Sequence, residues 1–249
     1  MILVIDIGNT STHFGLYREA KVGRKTRVPT GLTTIKAIKQ ELSGFLKKTS
    51  VDAVGISSVV PNVNSAWTKA VRGVIGVEPI FVSHEVDVGV AIDYPKPASI
   101  GADRLANACA AAALLGTPVV VADFGTALTF DIVSRDAAYV GGVIAPGIPL
   151  MFEYLSDKTA LLPKVEPKAV HSSIGKSTEE AMRIGGQIGY RGIVRELLSE
   201  IKKDLGVRRL KVCTTGGYAA LVVRDLDPKI PVIEDLTLIG IGNIVERNS

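Results

Sequence analysis

The sequence predicts an α/β protein built from two similar halves. Of its 249 residues 47% are hydrophobic but only 5% are aromatic, and runs rich in Val, Ile, Leu and Ala suit strands buried on both faces. Apolar runs of strand length alternate with segments of helical period. A strand, turn and strand unit also occurs twice: Ile2-Leu3-Val4-Ile5-Asp6 leading into Gly8-Asn9-Thr10, and Val119-Val120-Val121-Ala122-Asp123 leading into Phe124-Gly125-Thr126. This repetition places a boundary near Gly116 and divides the chain into domains 1–115 and 116–249, each long enough to bury its own core.

Met1 to Ile7 reads as a buried strand, and Thr12 to Tyr17 as the strand returning from the Gly8-Asn9-Thr10 turn. Thr33 to Lys48 carries Ile35, Ile38, Leu42, Phe45 and Leu46 at helical spacing. Val51 to Val60 is a strand closed by Pro61-Asn62, Asn64 to Val74 a helix, and Pro79 to Val82 a short strand. Leu105 to Leu115 is an Ala-rich helix. The uncharged stretch from Leu105 to Ala122 approaches the length of a membrane span, but Gly116-Thr117-Pro118 interrupts it, so no membrane segment is expected. Glu179 to Leu205 is helical in pattern although it contains Gly185, Gly186, Gly189 and Gly192. Each glycine costs about 1 kcal/mol in a helix interior, so a close helix pair or a dimer contact is expected there. Arg209 to Cys213 is a last strand, delivered into Thr214-Thr215-Gly216-Gly217.

The net charge of +4 is unevenly spread: between positions 18 and 48 nine Lys or Arg face only Glu19 and Glu41, and the rest of the chain is net negative. No aromatic interleaving for base stacking accompanies the cluster. A solvated face is expected, with no nucleic-acid partner. Cys109 and Cys213 lie far apart among apolar neighbours and read as free buried thiols of a cytoplasmic protein. The amino terminus shows no secretory pattern. His13, His84 and His171 have no metal-ligand spacing.

Three strand ends finish in small polar residues: Asp6-Ile7-Gly8-Asn9-Thr10, Asp123-Phe124-Gly125-Thr126 and Thr214-Thr215-Gly216-Gly217. Phosphates need backbone amides that approach closely, and phosphate-bound Mg²⁺ needs one or two carboxylates. One Asp-x-Gly is a common turn; three such ends beside a duplication point to nucleotide binding. No Walker A sequence, kinase loop set or dinucleotide fingerprint is present.

Taken in order, Asp6-Ile7-Gly8-Asn9-Thr10, Ser57-Ser58-Val59-Val60-Pro61, Gly101-Ala102-Asp103-Arg104, Asp123 to Asp131, Gly141-Gly142-Val143-Ile144-Ala145-Pro146-Gly147, Leu162-Pro163, Thr215-Gly216-Gly217 and Leu236 to Gly240 span nearly the whole chain. The series resembles the type III pantothenate kinases. The resemblance implies duplicated actin-like (ribonuclease H-like) α/β domains with a nucleotide cleft between them, and a homodimer. It implies transfer of the ATP γ-phosphoryl to the primary hydroxyl of pantothenate, the first step of coenzyme A biosynthesis, with Mg²⁺ and a monovalent cation, K⁺ or NH₄⁺.

Residue by residue, the resemblance implies ATP contacts from Asp6, Ile7, Gly8, Asn9, Thr10, Ser11, Thr12, His13 and Thr126, with Asp6 near Mg²⁺. It implies Asp123 as monovalent-cation ligand and Asp103 as catalytic base. Pantothenate contacts are implied for Tyr94, Gly101, Ala102, Asp103, Arg104 and Thr178. The guanidinium fork of Arg104 suits a carboxylate substrate. The residues alone also allow Asp103 to be a helix cap with Arg104 solvated. Lys96 and Ser99 depart from the family pattern before Gly101, and Pro95 and Pro97 stiffen that segment. Two other readings are a phosphotransferase for another small anion and a non-catalytic regulatory protein on the same fold.

Overall fold

The computed structural model describes residues 1–226 and 228–249. Two compact units emerge. The first comprises residues 1–116, 136–140 and 235–249; the second comprises residues 117–135 and 141–234.

In the first unit, β1 (Ile2–Ile7), β2 (Ser11–Arg18), β3 (Lys21–Pro29), β4 (Ala53–Ser58) and β5 (Ile80–Phe81) form one sheet in the order β3-β2-β1-β4-β5. β1 pairs antiparallel with β2 and parallel with β4. Side chains alternate across a strand, so Leu3, Ile5 and Ile7 share one face. There they pack with Phe14, Ile38, Leu42, Val63 and Trp67 under α1 (Ile35–Leu46) and α2 (Pro61–Ile75). Thr34 caps α1 by accepting from the Ala37 N–H, and Pro61 opens α2 at a position that needs no donor.

α3 (Ala102–Leu115) and α8 (Leu236–Arg247) also belong to this unit. They meet almost backbone to backbone. A Cβ on Gly240 would overlap the Ala106 carbonyl, lying 2.5 Å from its carbon, while one on Gly55 would stand 2.5 Å from Val245 of α8. The alanines of α3 are therefore a crossing surface, pinned by the Thr237 hydroxyl donating to Asn107 Oδ1 at 2.8 Å.

The second sheet runs β10-β7-β8-β9-β6. Its strands are β6 (Ala91–Ile92), β7 (Val119–Phe124), β8 (Ala127–Val133), β9 (Ala138–Pro146) and β10 (Lys211–Thr215). β7 pairs antiparallel with β8 and parallel with β10. The order β10-β7-β8-β9 thus repeats β4-β1-β2-β3. Val120, Phe124, Leu128 and Phe130 pack with residues of α4 (Ile148–Lys158), α5 (Thr178–Ile184), α6 (Tyr190–Asp204) and α7 (Ala219–Val223). The long glycine-bearing helix is broken by a π-helical turn at Gly185–Gly189. Close approach occurs at Gly186, where a Cβ would meet the Phe152 ring at 2.8 Å; Gly185, Gly189 and Gly192 have nothing within 4 Å.

Candidate active site

Residues Asp6 to His13 run from the end of β1 through a tight turn into β2. The Gly8 N–H donates to the Ser11 carbonyl at 3.2 Å, and the Thr30 hydroxyl braces the turn by donating to the Gly8 carbonyl at 2.6 Å. Asn9 and Thr10 are exposed at the tip, whereas Ile7 and Thr12 are buried beneath it. Asp6 is half-buried, and the Ser57 hydroxyl at the end of β4 donates to its Oδ1 at 2.9 Å. Ser11 Oγ and His13 Nε2 lie 2.9 Å apart. Desolvation, together with the nearby Arg27 and Lys25 charges, lowers the His13 pKa against the opposing Asp235 charge.

The Gly101-Ala102-Asp103-Arg104 loop opens α3. Gly101 is its cap residue and Asp103 lies within the first turn, so the alternative in which Asp103 caps the helix does not hold. Asp103 Oδ1 accepts the Arg104 N–H at 2.8 Å. It also crowds Gly101, where a Cβ would stand 2.5 Å away. Burial raises the Asp103 pKa against the opposing backbone hydrogen bond and the Arg104 charge. Tyr94 is exposed on the segment after β6, its ring centroid 6.2 Å from that of Tyr139 in an edge-to-face arrangement. The Arg104 guanidinium stands over the same Tyr139 ring at 5.9 Å. Lys96 and Ser99 form a local turn closed by the Ser99 hydroxyl on the Lys96 carbonyl at 2.7 Å.

In the second unit, Asp123, one residue before the end of β7, is in register with Thr215 of β10. Gly216, at φ 90°, brings its backbone so near that a Cβ would fall 2.5 Å from Asp123 Oδ1. Thr126 is exposed in the turn between β7 and β8, and its carbonyl accepts the Gly147 N–H at 3.0 Å. A Cβ on Gly147 would overlap that carbonyl and stand 2.6 Å from the Gly125 carbonyl. Two of the three polar strand ends therefore converge on Asp123, and Gly147 joins them. Gly147 closes the Gly141 to Gly147 motif, but nothing in the sequence signals this packing. Thr178 opens α5, exposed, beside the cap Ser177, which accepts the Glu180 N–H at 3.2 Å, while Glu180 reaches back to the Lys176 N–H at 2.7 Å.

Among the described residues no group of three or more His, Cys, Asp or Glu gathers as a protein-only metal cage. A Mg²⁺ held on phosphates needs only one or two carboxylates, and Asp6 fits that demand. A pocket of about 730 Å³ along α1, past Lys36 and Lys39, involves none of these loops.

The fold is that of the actin-like ATPases and sugar kinases. A conserved Campylobacter jejuni protein assigned to the Baf family of transcriptional activators superposes with a TM-score of 0.61 at 18% identity, covering 99% of this chain and 98% of that one. The activator of 2-hydroxyisocaproyl-CoA dehydratase from Clostridium difficile, solved with bound ADPNP, gives 0.57 at 12% identity, covering 99% and 95%. At these identities the likeness concerns fold alone.

Sequence is more specific. The type III pantothenate kinase family model matches residues 2–200. Type III pantothenate kinases from Akkermansia muciniphila and Methylacidiphilum infernorum are 44% and 40% identical, covering 96% and 98% of this chain and 96% and 88% of theirs. The chain belongs to the type III pantothenate kinase family.

Proposed function

We propose that this protein transfers the γ-phosphoryl of ATP to the primary hydroxyl of pantothenate, giving 4'-phosphopantothenate and ADP at the first step of coenzyme A biosynthesis. The observation that carries the reading is the Asp103 and Arg104 pair: a carboxylate made more basic by burial, beside a guanidinium that rests on an aromatic ring. The substrate hydroxyl oxygen forms the new bond to phosphorus as the bond to the ADP oxygen breaks, and Asp103 accepts the hydroxyl proton. Such a loose transition state asks for positioning more than for a strong base. Arg104 binds the pantothenate carboxylate, with Tyr94, Gly101, Ala102 and Thr178 as further substrate contacts.

Asp6 to His13 and Thr126 contact ATP, with small side chains and backbone amides suited to phosphate oxygens. Mg²⁺ on the phosphates, near Asp6, supplies charge neutralisation when bound. Asp123, whose carboxylate is half-buried near the end of the strand, would hold K⁺ or NH₄⁺ through a hard oxygen donor. A homodimer is supported by large apolar side chains left in solvent on the second unit, Ile144, Tyr154, Leu161 and Ile174, with Leu161 90% exposed. Two buried free thiols and no described helix long and apolar enough to cross a membrane agree with a cytoplasmic location. The strand order common to both sheets supports a duplication whose halves are 1–115 and 116–249 in sequence, although residues 136–140 and 235–249 of the second half pack with the first unit.

A substrate panel tests the reading: pantothenate, acetate and polyphosphate, each with ATP and Mg²⁺, with and without K⁺. Turnover confined to pantothenate and stimulated by K⁺ is expected. Turnover of acetate instead would favour the other phosphotransferase reading.

A further inference from the structure

Tyr139 is 1% exposed on β9, and nothing in the phosphoryl-transfer chemistry requires it. Two substrate-side residues nevertheless converge on its ring. Arg104 lies over it, within the roughly 6 Å at which a guanidinium is attracted to an aromatic face. Tyr94 meets it edge to face, an arrangement that aromatic quadrupoles favour.

The backbone explains how a segment as short as β6 holds this register. Ala91 and Ile92 pair parallel with Ala138 and Tyr139, and the Asp93 N–H donates to the Tyr139 carbonyl at 2.9 Å. Tyr94 is the next residue. Residues 136–140 accordingly pack with the first unit, although the rest of β9 belongs to the second. Arg104 arrives from α3 on a long flexible stem that loses rotamer freedom whenever it is fixed.

Resting on the pantothenate kinase reading, we infer that Tyr139 is a positioning residue: its ring holds Arg104 and Tyr94 in the geometry that receives the carboxylate end of pantothenate. It sets affinity and discrimination at that end, away from the reacting hydroxyl.

The test is steady-state kinetics on Tyr139→Leu and Tyr139→Phe, with pantothenate and with its neutral amide, pantothenamide, as acceptors. The leucine variant should raise KM for pantothenate about tenfold, with kcat and KM for ATP within about twofold. Its effect on pantothenamide should be much smaller, because that acceptor offers Arg104 no carboxylate. The phenylalanine variant, which keeps the ring, should behave as wild type. If the leucine side chain leaves the protein unstable, Tyr139→Met, longer and more adaptable in filling the space of the ring, carries the same comparison.

An unchanged KM for pantothenate would overturn the inference. So would equal losses for ATP and both acceptors, the mark of a merely structural role, or a phenylalanine variant as impaired as the leucine one. Wild-type protein that turns over no pantothenate would instead sink the underlying reading, a separate outcome.

Discussion

Asp103 stands between opposing influences. Burial pushes its pKa up, while the Arg104 N–H and guanidinium pull it down, and burial wins. The acid limb of the kcat/KM profile should therefore lie above the ordinary aspartate value of about 3.9. Asp103→Asn should remove that limb and lower kcat by about 10² to 10⁴, as read by pantothenate-dependent ADP formation across pH. Stability has its own sign. A carboxyl whose folded pKa is raised binds protons more tightly when folded, so its contribution is fully present below the unfolded pKa and is lost as pH rises through the folded one. Asp103→Asn should then be at least as stable as wild type above that window, by thermal unfolding at pH 8. The identity of this residue was legible in Gly101-Ala102-Asp103-Arg104. Its placement was not, because propensity cannot separate a cap from a first-turn residue two positions on.

Glycines separate the elements by what surrounds them. Gly44 lies in α1 with nothing within 4 Å, whereas Gly240 faces the Ala106 backbone. Gly44→Ala should stabilise by about 0.5 to 1 kcal/mol, while Gly240→Ala should destabilise by about 1 to 3 kcal/mol or more, both by urea unfolding. Gly147→Ala, aimed at the Thr126 carbonyl, should disturb the Asp123 loops and weaken ATP binding more than overall stability. ATP titration calorimetry alongside unfolding decides this.

The sequence foretold most strands and the helices with an apolar stripe, because burial wrote period 2 or 3.6 into them. It missed β3 for the converse reason: of Lys21 to Pro29 only Val28 is buried, so no pattern survives. The strand is a sheet edge, and its Lys21, Arg24, Lys25 and Arg27 account for much of the basic cluster. Charges on an edge discourage pairing with other chains. α8 was hidden altogether: Leu236 to Gly240 stood out only as a motif, and the helix's fit against α3 depends on Gly240 meeting Ala106, 134 positions apart in the numbering.

For the molecule as a whole, the basic edge strand predicts no high-affinity nucleic-acid binding. Electrophoretic shift at 0.15 M salt should show none, since isolated surface charges are screened at that ionic strength. The exposed apolar side chains of the second unit predict two chains per particle by sedimentation, and Leu161→Asp together with Ile174→Asp should shift the population toward one. Fold and family were legible because their motifs are local and ordered; the partnership of Tyr139 with Arg104 was not, because it joins separate strand and helix segments in space. The most direct measurement of the central claim is product analysis of the purified protein with ATP, Mg²⁺, K⁺ and pantothenate, by mass spectrometry, beside Asp103→Asn. Stoichiometric 4'-phosphopantothenate and ADP from wild type, with product from a folded Asp103→Asn reduced at least about a hundredfold, is the predicted result. No phosphorylated pantothenate from the folded wild type, or undiminished turnover by the variant, would contradict it.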